Sequence, residues 1–289
     1  MSCRYDLLVI DLDGTLLDPR GRVSDANVEA VRAARAAGLT VIIATGRALV
    51  ESQRTLEVIG RDGIVIAAGG SMVCDAATGR TLYRSTMPHD LVVDVTAALL
   101  DEGHKVLLLK DPDRTGYDYL AVGPAELDPA SAWWFEVLPV RVRFVHELVD
   151  DPDPEETVRV GAVAGEAELA PIATHLKQRL GDRAFLQHWS AVTATAATGS
   201  ATHLLEVFNP DVDKWTAVRA FCEQEGVDPA RVAAIGDGLN DVRLVSQAGL
   251  GIAMGNADPR VAAVADRTTA DNTADGVAEA IGRLLDGSW

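Results

Sequence analysis

Leu7-Leu8-Val9-Ile10-Asp11-Leu12-Asp13-Gly14-Thr15 runs four apolar residues straight into two carboxylates, a glycine and a hydroxyl. A segment that is apolar at every position reads as a strand buried on both faces, the kind found in parallel sheets with helices on each side. In open sheets of that kind, ligands collect beyond the carboxyl ends of the strands. Asp11 is therefore expected on the floor of a crevice, with Asp13, two residues on, pointing broadly the same way.

The flanking sequence repeats the pattern. Helix signals cover residues 25–37, with Ser24 and Asp25 as candidate caps and Gly38 as a stop, and a strand follows at 41–44. A second helix at 48–59 and a strand at 64–67 lead into Gly69-Gly70. The rhythm returns late in the chain, with helices at 214–225, 241–247 and 275–285 around strands at 232–235 and 251–254. Alternation of this kind specifies an α/β class: a Rossmann-like, doubly wound parallel sheet. Between Tyr83 and His203 the texture becomes strand-rich, with helical stretches near 91–102 and 167–180. The expected organisation is thus a core of residues 1–82 and 204–289 with an inserted α+β domain at 83–203. Inside the insertion, the acidic, proline-broken residues 150–154 read as an exposed loop and residues 191–201 as a strand. Trp133-Trp134-Phe135 reads as a strand segment with one ring in the local core, and Arg141 and Arg143 share one strand face.

With 289 residues, 48% of them hydrophobic, the chain can bury substantial cores. Its net charge of -17, from 43 acidic and 26 basic residues, lacks the basic footprint of a nucleic-acid or anionic-membrane surface. No stretch approaches the roughly 20 apolar residues of a membrane span. Asp11 interrupts the amino-terminal apolar run too early for a signal-peptide core. Cys3, Cys74 and Cys222 form no paired spacing, so neither a disulfide framework nor a zinc knuckle is expected, and a cytoplasmic location fits.

Other strand ends carry matching chemistry. Thr45-Gly46-Arg47 follows the second strand and opens a helix, where a hydroxyl, backbone N–H groups and a cation suit phosphate oxygens. Lys214 starts a helix behind Asp213, against the dipole preference for anions there, which invites a functional reading. Gly236-Asp237-Gly238-Leu239-Asn240-Asp241 puts two carboxylates four residues apart beyond a strand, a donor set suited to magnesium. Three strands thus deliver a carboxylate pair, a hydroxyl with a cation, and a second carboxylate pair to one end of a sheet. Together they outline a phosphoryl-transfer site.

On these residues the chain resembles the haloacid dehalogenase superfamily, and within it the Cof-type hydrolases. The first motif of that superfamily, DxDGT, stands at residues 11–15, and the second is Thr45 with Gly46-Arg47. The third is Lys214 behind Asn209-Pro210-Asp211-Val212-Asp213, and the fourth, GDxxND, is residues 236–241. An α/β cap inserted between the second and third motifs also fits the resemblance. One departure is Ala68-Gly69-Gly70, where many Cof-type relatives have Asn-Gly-Ala.

The resemblance implies a magnesium-dependent phosphatase acting on a small phosphorylated metabolite such as a sugar phosphate. Magnesium would be held by Asp11, the Asp13 carbonyl and Asp237, with Asp241 in support. Asp11 would attack phosphorus and Asp13 would serve as acid and then base, while Lys214 screens charge. Thr45, Gly46 and Asn240 would bind the phosphoryl oxygens, with Arg47 a further phosphate or substrate contact. A cap over the strand ends would favour small substrates. A phosphotransferase or phosphomutase would use the same core residues. A non-catalytic binding module should lack some of Asp11, Asp13, Lys214 and Asp237, and all are present. Retention of Asp13 argues against carbon–halogen cleavage.

Overall fold

The computed structural model describes residues 4–190 and 202–289, so the strand expected at 191–201 and Cys3 lie outside the described residues. The first stretch contains β1 (Leu7–Ile10), α1 (Asp25–Ala36), β2 (Thr40–Ala44), α2 (Leu49–Ile59), β3 (Ile64–Ala67), β4 (Met72–Asp75) and β5 (Thr81–Arg84). Next come α3 (His89–Asp101), β6 (Val106–Lys110), α4 (Pro112–Thr115), β7 (Tyr119–Val122), α5 (Pro129–Val137) and β8 (Val142–Val145). They are followed by β9 (Thr157–Gly165), α6 (Glu166–Leu180), β10 (Phe185–Ser190) and β11 (Thr202–Phe208). The chain closes with α7 (Lys214–Glu225), β12 (Val232–Gly236), α8 (Val242–Gln247), β13 (Leu250–Ala253), α9 (Pro259–Ala262), β14 (Arg267–Thr268) and α10 (Gly276–Leu285).

These elements form two compact units, Met1–Leu82 with Asp213–Trp289, and Tyr83–Val212. The first holds a sheet in the order β14-β13-β12-β1-β2-β3-β4-β5. Strands from β14 through β3 pair in parallel, and β4 turns back antiparallel on β3. Chain order reverses around β1, which has β2 on one side and β12 on the other. Such a reversal opens a crevice at the strand carboxyl ends. One face of the sheet buries Leu7, Val9, Ile42 and Ala234 against Trp215, Val218 and Cys222 of α7. Because side chains alternate along a strand, Leu8, Ile10 and Ile43, each no more than 2% exposed, turn to the opposite face. Ser24 caps α1 by accepting from the Asn27 N–H, as its position suggested.

The turn after β3 accounts for Gly70 in the departure at residues 68–70. The Ala68 and Gly69 N–H groups donate to the carbonyls of Arg47 and Thr45, at 2.8 and 2.9 Å. Gly70 has φ +112°, and a Cβ there would lie 2.2 Å from the Asp213 carbonyl oxygen, so no side chain fits beside the start of α7. Ala68 adopts φ 50°, a left-handed conformation that costs a residue with a Cβ roughly 1–2 kcal/mol. Ala68→Gly is therefore expected to stabilise the protein by about 0.5–1 kcal/mol after the extra freedom of unfolded glycine is subtracted. A raised urea midpoint at unchanged slope would show it, and an unchanged or lowered midpoint would contradict it.

The second unit carries a sheet in the order β10-β11-β9-β6-β7-β8. Leu91, Val95 and Leu99 of α3 and Leu169, Ile172 and Leu176 of α6 pack against Leu108, Leu120, Val160 and Leu205 on one face. Three sequence expectations change here. The second crossing between units falls at Val212/Asp213 and not at 204, because β11 pairs with both β9 and β10. Trp133, Trp134 and Phe135 lie in α5 and not in a strand: Pro129 fills its first turn, and Asp128 caps it by accepting from the Ala130 N–H. The 150–154 loop is not simply exposed, since Lys110, fully buried, donates to Asp151 Oδ2 at 2.5 Å, the Asp153 carbonyl at 2.9 Å and Thr157 Oγ1 at 2.8 Å. Arg141 donates to Asp118, and Arg143 lies over the Tyr117 ring. No helix among the described residues is long and apolar enough to cross a membrane.

Candidate active site

Because β12, β1 and β2 run side by side in one direction, their carboxyl ends deliver Asp237, Asp11 and Thr45 to adjacent positions. The Asp11 N–H donates to the Ile235 carbonyl, which fixes the first loop residue to the neighbouring strand. Lys214 enters from the start of α7, where Asp213 caps the helix by accepting from the Thr216 N–H. Its ammonium is fully buried and donates to Asp11 Oδ1 at 2.5 Å and Asp241 Oδ1 at 2.7 Å. The other oxygen of Asp241 accepts from the Asp237 and Gly238 N–H groups, at 3.1 and 3.0 Å. Asp241 is thereby largely satisfied and acts as a brace for the loop and the lysine.

Asp11, Asp237 and Asp241 each bring one oxygen to within 4.8 Å of the others. Crowding carboxylates in a buried place disfavours their ionisation. Burial, followed by the charges of Asp241 and Asp237, holds Asp11 well above the ordinary carboxylate range despite Lys214. Burial likewise pushes Asp237 up to about 6, with Asp241 adding to it and the Thr15 hydroxyl opposing it. Lys214 keeps its proton, since Asp11 and Asp241 outweigh the pull of burial. An acidic cluster of hard oxygens that strains to ionise fits a hard divalent cation such as magnesium. The carboxylate of Asp13 is not in this cluster and leaves only its carbonyl for such a role.

Asp237 has a pH signature in the metal-free protein. Its folded value of about 6 lies above the 3.8 of a free aspartate, so the folded state binds more protons between those limits. Stability is then fully present below about pH 4 and is lost as pH rises toward 6, with Asp11 acting in the same direction. The contribution of Asp237 is on the order of 3 kcal/mol. Thermal melts in chelator between pH 4 and 7 check this: Asp237→Asn should flatten the slope, and an equally steep variant would contradict the assignment.

The remaining expected residues divide. A Cβ built on Gly46 would meet the Asn240 amide nitrogen at 3.9 Å, so the second and fourth motifs face each other. Thr45 Oγ1 accepts from the Arg47 N–H. Arg47 is paired with the Asp13 carboxylate. Its guanidinium forks onto Asp13, with Nε to Oδ2 at 2.8 Å and Nη2 to Oδ1 at 2.5 Å.

Three further residues hold the loop. Thr15 donates to Asp237 Oδ1 at 2.6 Å, and Gly14, at φ +81°, allows this approach, since a Cβ there would sit 2.1 Å from Asp237 Oδ2. Asn256 donates to the Gly14 carbonyl at 2.8 Å, and Asn272 to the Leu17 carbonyl at 2.7 Å. Asn256 Oδ1 in turn accepts from the Asn272 N–H. Thr15 stood within the opening motif. Asn256, after β13, could have been suspected from its strand-end position, but Asn272 has no local signal.

Residues 8–281 match the family of haloacid dehalogenase-like hydrolases. The chain is 27% identical to pyridoxal phosphate phosphatase of Escherichia coli, over 95% of this chain and 97% of that protein. It is also 27% identical, over 97% of its length, to chloroplastic endoribonuclease YBEY of Arabidopsis thaliana, but spans 46% of that longer protein. A solved haloacid dehalogenase-like hydrolase from Bacteroides thetaiotaomicron matches with a TM-score of 0.79 at 25% identity, covering 97% of this chain and 99% of that one. With the strand order, the four motifs and a family match over nearly its whole length, the chain belongs to the haloacid dehalogenase-like hydrolases.

Proposed function

We propose that this hydrolase is a magnesium-dependent phosphatase that cleaves a small phosphorylated metabolite, of the sugar-phosphate class, through a phosphoryl group carried on Asp11. The observation that carries the reading is the buried Lys214 ammonium bridging Asp11 and Asp241, with Asp237 completing the acidic cluster. The pyridoxal phosphate phosphatase similarity supports a small phosphorylated substrate.

Asp11, Asp237 and the Asp13 carbonyl would hold magnesium, with Asp241 in support. When bound, the ion neutralises charge on the phosphate and on the carboxylates around it. Lys214 orients the Asp11 carboxylate through Oδ1, which leaves its other oxygen to attack. That oxygen forms a bond to phosphorus as the bond from phosphorus to the leaving oxygen breaks, and Asp13 gives its proton to the leaving oxygen. Water then attacks phosphorus, Asp13 takes a proton from it, and the Asp11–phosphorus bond breaks to release phosphate. Thr45, Gly46 and Asn240 bind the phosphoryl oxygens, which gain charge in each transition state. Arg47 must leave Asp13 before Asp13 can meet a leaving oxygen, and an incoming phosphate offers the guanidinium an alternative dianionic partner.

The test is phosphate release from sugar, nucleotide and cofactor phosphates with and without magnesium, using Asp11→Asn as control. Turnover that needs both magnesium and Asp11, with no added acceptor, supports the reading. Turnover that appears only with an acceptor hydroxyl would replace it with phosphotransfer.

A further inference from the structure

On β10 and β11, in the second unit, two histidines share one sheet face. His203 pairs with Ser190, and His188 with Leu205, so the two histidines are diagonal neighbours across an antiparallel ladder. They lie on the face of Leu205 and Val207, which packs against α3 and α6. Their ring centres are 5.1 Å apart, with the planes inclined at 46°. His188 Nε2 and His203 Nδ1 are both buried and find no hydrogen-bond partner among the described residues. Buried polar atoms are nearly always satisfied, so two orphaned nitrogens on adjacent rings require an explanation.

We propose that His188 and His203 form a second metal site, taking a borderline divalent transition ion such as zinc between His188 Nε2 and His203 Nδ1. Two imidazoles bound to one tetrahedral ion by metal–nitrogen bonds of about 2.0–2.1 Å have ring centres about 5 Å apart. The observed spacing meets that requirement. Glu166, the first residue of α6, brings Oε2 to 3.9 Å from His203 Nε2. A ligating histidine commonly directs its other N–H at a carboxylate, which fixes the tautomer and leaves the opposite nitrogen free for the metal. Glu166 is placed for that role. Burial lowers the pKa of His188, which keeps it in the neutral form that ligates. Imidazole nitrogens do not suit magnesium, so the two sites sort different ions by donor type. Since β10 is the edge strand of its sheet, the ion would tie that edge to β11.

The test is zinc titration of the full chain in millimolar magnesium, which keeps the acidic cluster occupied, followed by calorimetry. One equivalent of zinc should bind with micromolar affinity and raise the melting temperature. His188→Gln or His203→Gln should each weaken it at least tenfold, with basal phosphate release unchanged. Glu166→Gln should weaken it less. Because the histidine variants could fold poorly, a second readout uses the native protein labelled with ¹⁵N-histidine: zinc should shift the ring nitrogens of two of the six histidines. No zinc binding in magnesium, binding unaffected by either substitution, or shifts at other histidines would each overturn the site.

Discussion

Asp11→Asn protein is expected to release phosphate at no more than about 10⁻⁴ of the native rate and, when metal-free, to melt at a higher temperature than the native protein at pH 7. The first effect follows from the loss of the attacking oxygen. The second follows from electrostatics: the buried Asp11 carboxyl resists the ionisation that the unfolded chain undergoes freely at neutral pH, which subtracts from stability, and the amide removes that cost. Lys214 keeps Asp241 as its partner and is not left unpaired. Phosphate release and thermal melts in chelator, run on the same preparations, check both halves. Native-like turnover would end the covalent scheme. A lowered melting temperature would mean that the Asp11–Lys214 pair stabilises more than its burial costs. Activity lost with stability gained is the signature of a site held under strain for function.

Lys214→Ala should act in the opposite direction on stability. Its side chain is fully buried between two buried carboxylates, and removing one partner of such a group leaves uncompensated charge. The expected cost is about 3–5 kcal/mol in the metal-free protein, with turnover reduced by about 10³-fold because both chemical steps lose a charge screen. Magnesium should restore part of the stability, since a cation at the carboxylates offsets the missing ammonium, but not the turnover. Equal destabilisation with and without magnesium would show that the lysine matters through packing alone.

Much of this was legible in the chain because the decisive signals are local. Leu7–Ile10 is apolar at every position and could only be a covered strand, and the residues that follow each parallel strand appear in sequence beside it. Asp11 and Asp241 were identified this way and Lys214 from its place at a helix start, although 203 residues separate the buried pair Asp11 and Lys214. What could not be read is which partner a side chain selects. Arg47 looked free for phosphate, yet its planar fork matches the Asp13 carboxylate, and only three-dimensional proximity reveals that choice. The Asn256–Asn272 brace depends on two loops meeting a third. The Trp133–Phe135 segment was misread because its aromatic run suggested a strand, while Asp128-Pro129 just before it carried the helix-start signal. Residues 204–208 were placed in the core because the change of texture was read as ending at His203, whereas their pairing with β9 decides the matter.

The division of the chain at Leu82/Tyr83 and Val212/Asp213 also sets an order of events during synthesis. Tyr83–Val212 is continuous and can complete its sheet as soon as it leaves the ribosome. The other unit cannot. With β1 made early and its neighbour β12 made late, the edge of β1 stays unpaired while the whole inserted segment is translated, on the order of ten seconds at about 5–20 residues per second. A nascent chain of this protein therefore exposes an apolar strand edge beside Asp11 for most of its production. Its yield in cells should depend on holding chaperones more than the stability of the finished enzyme would suggest.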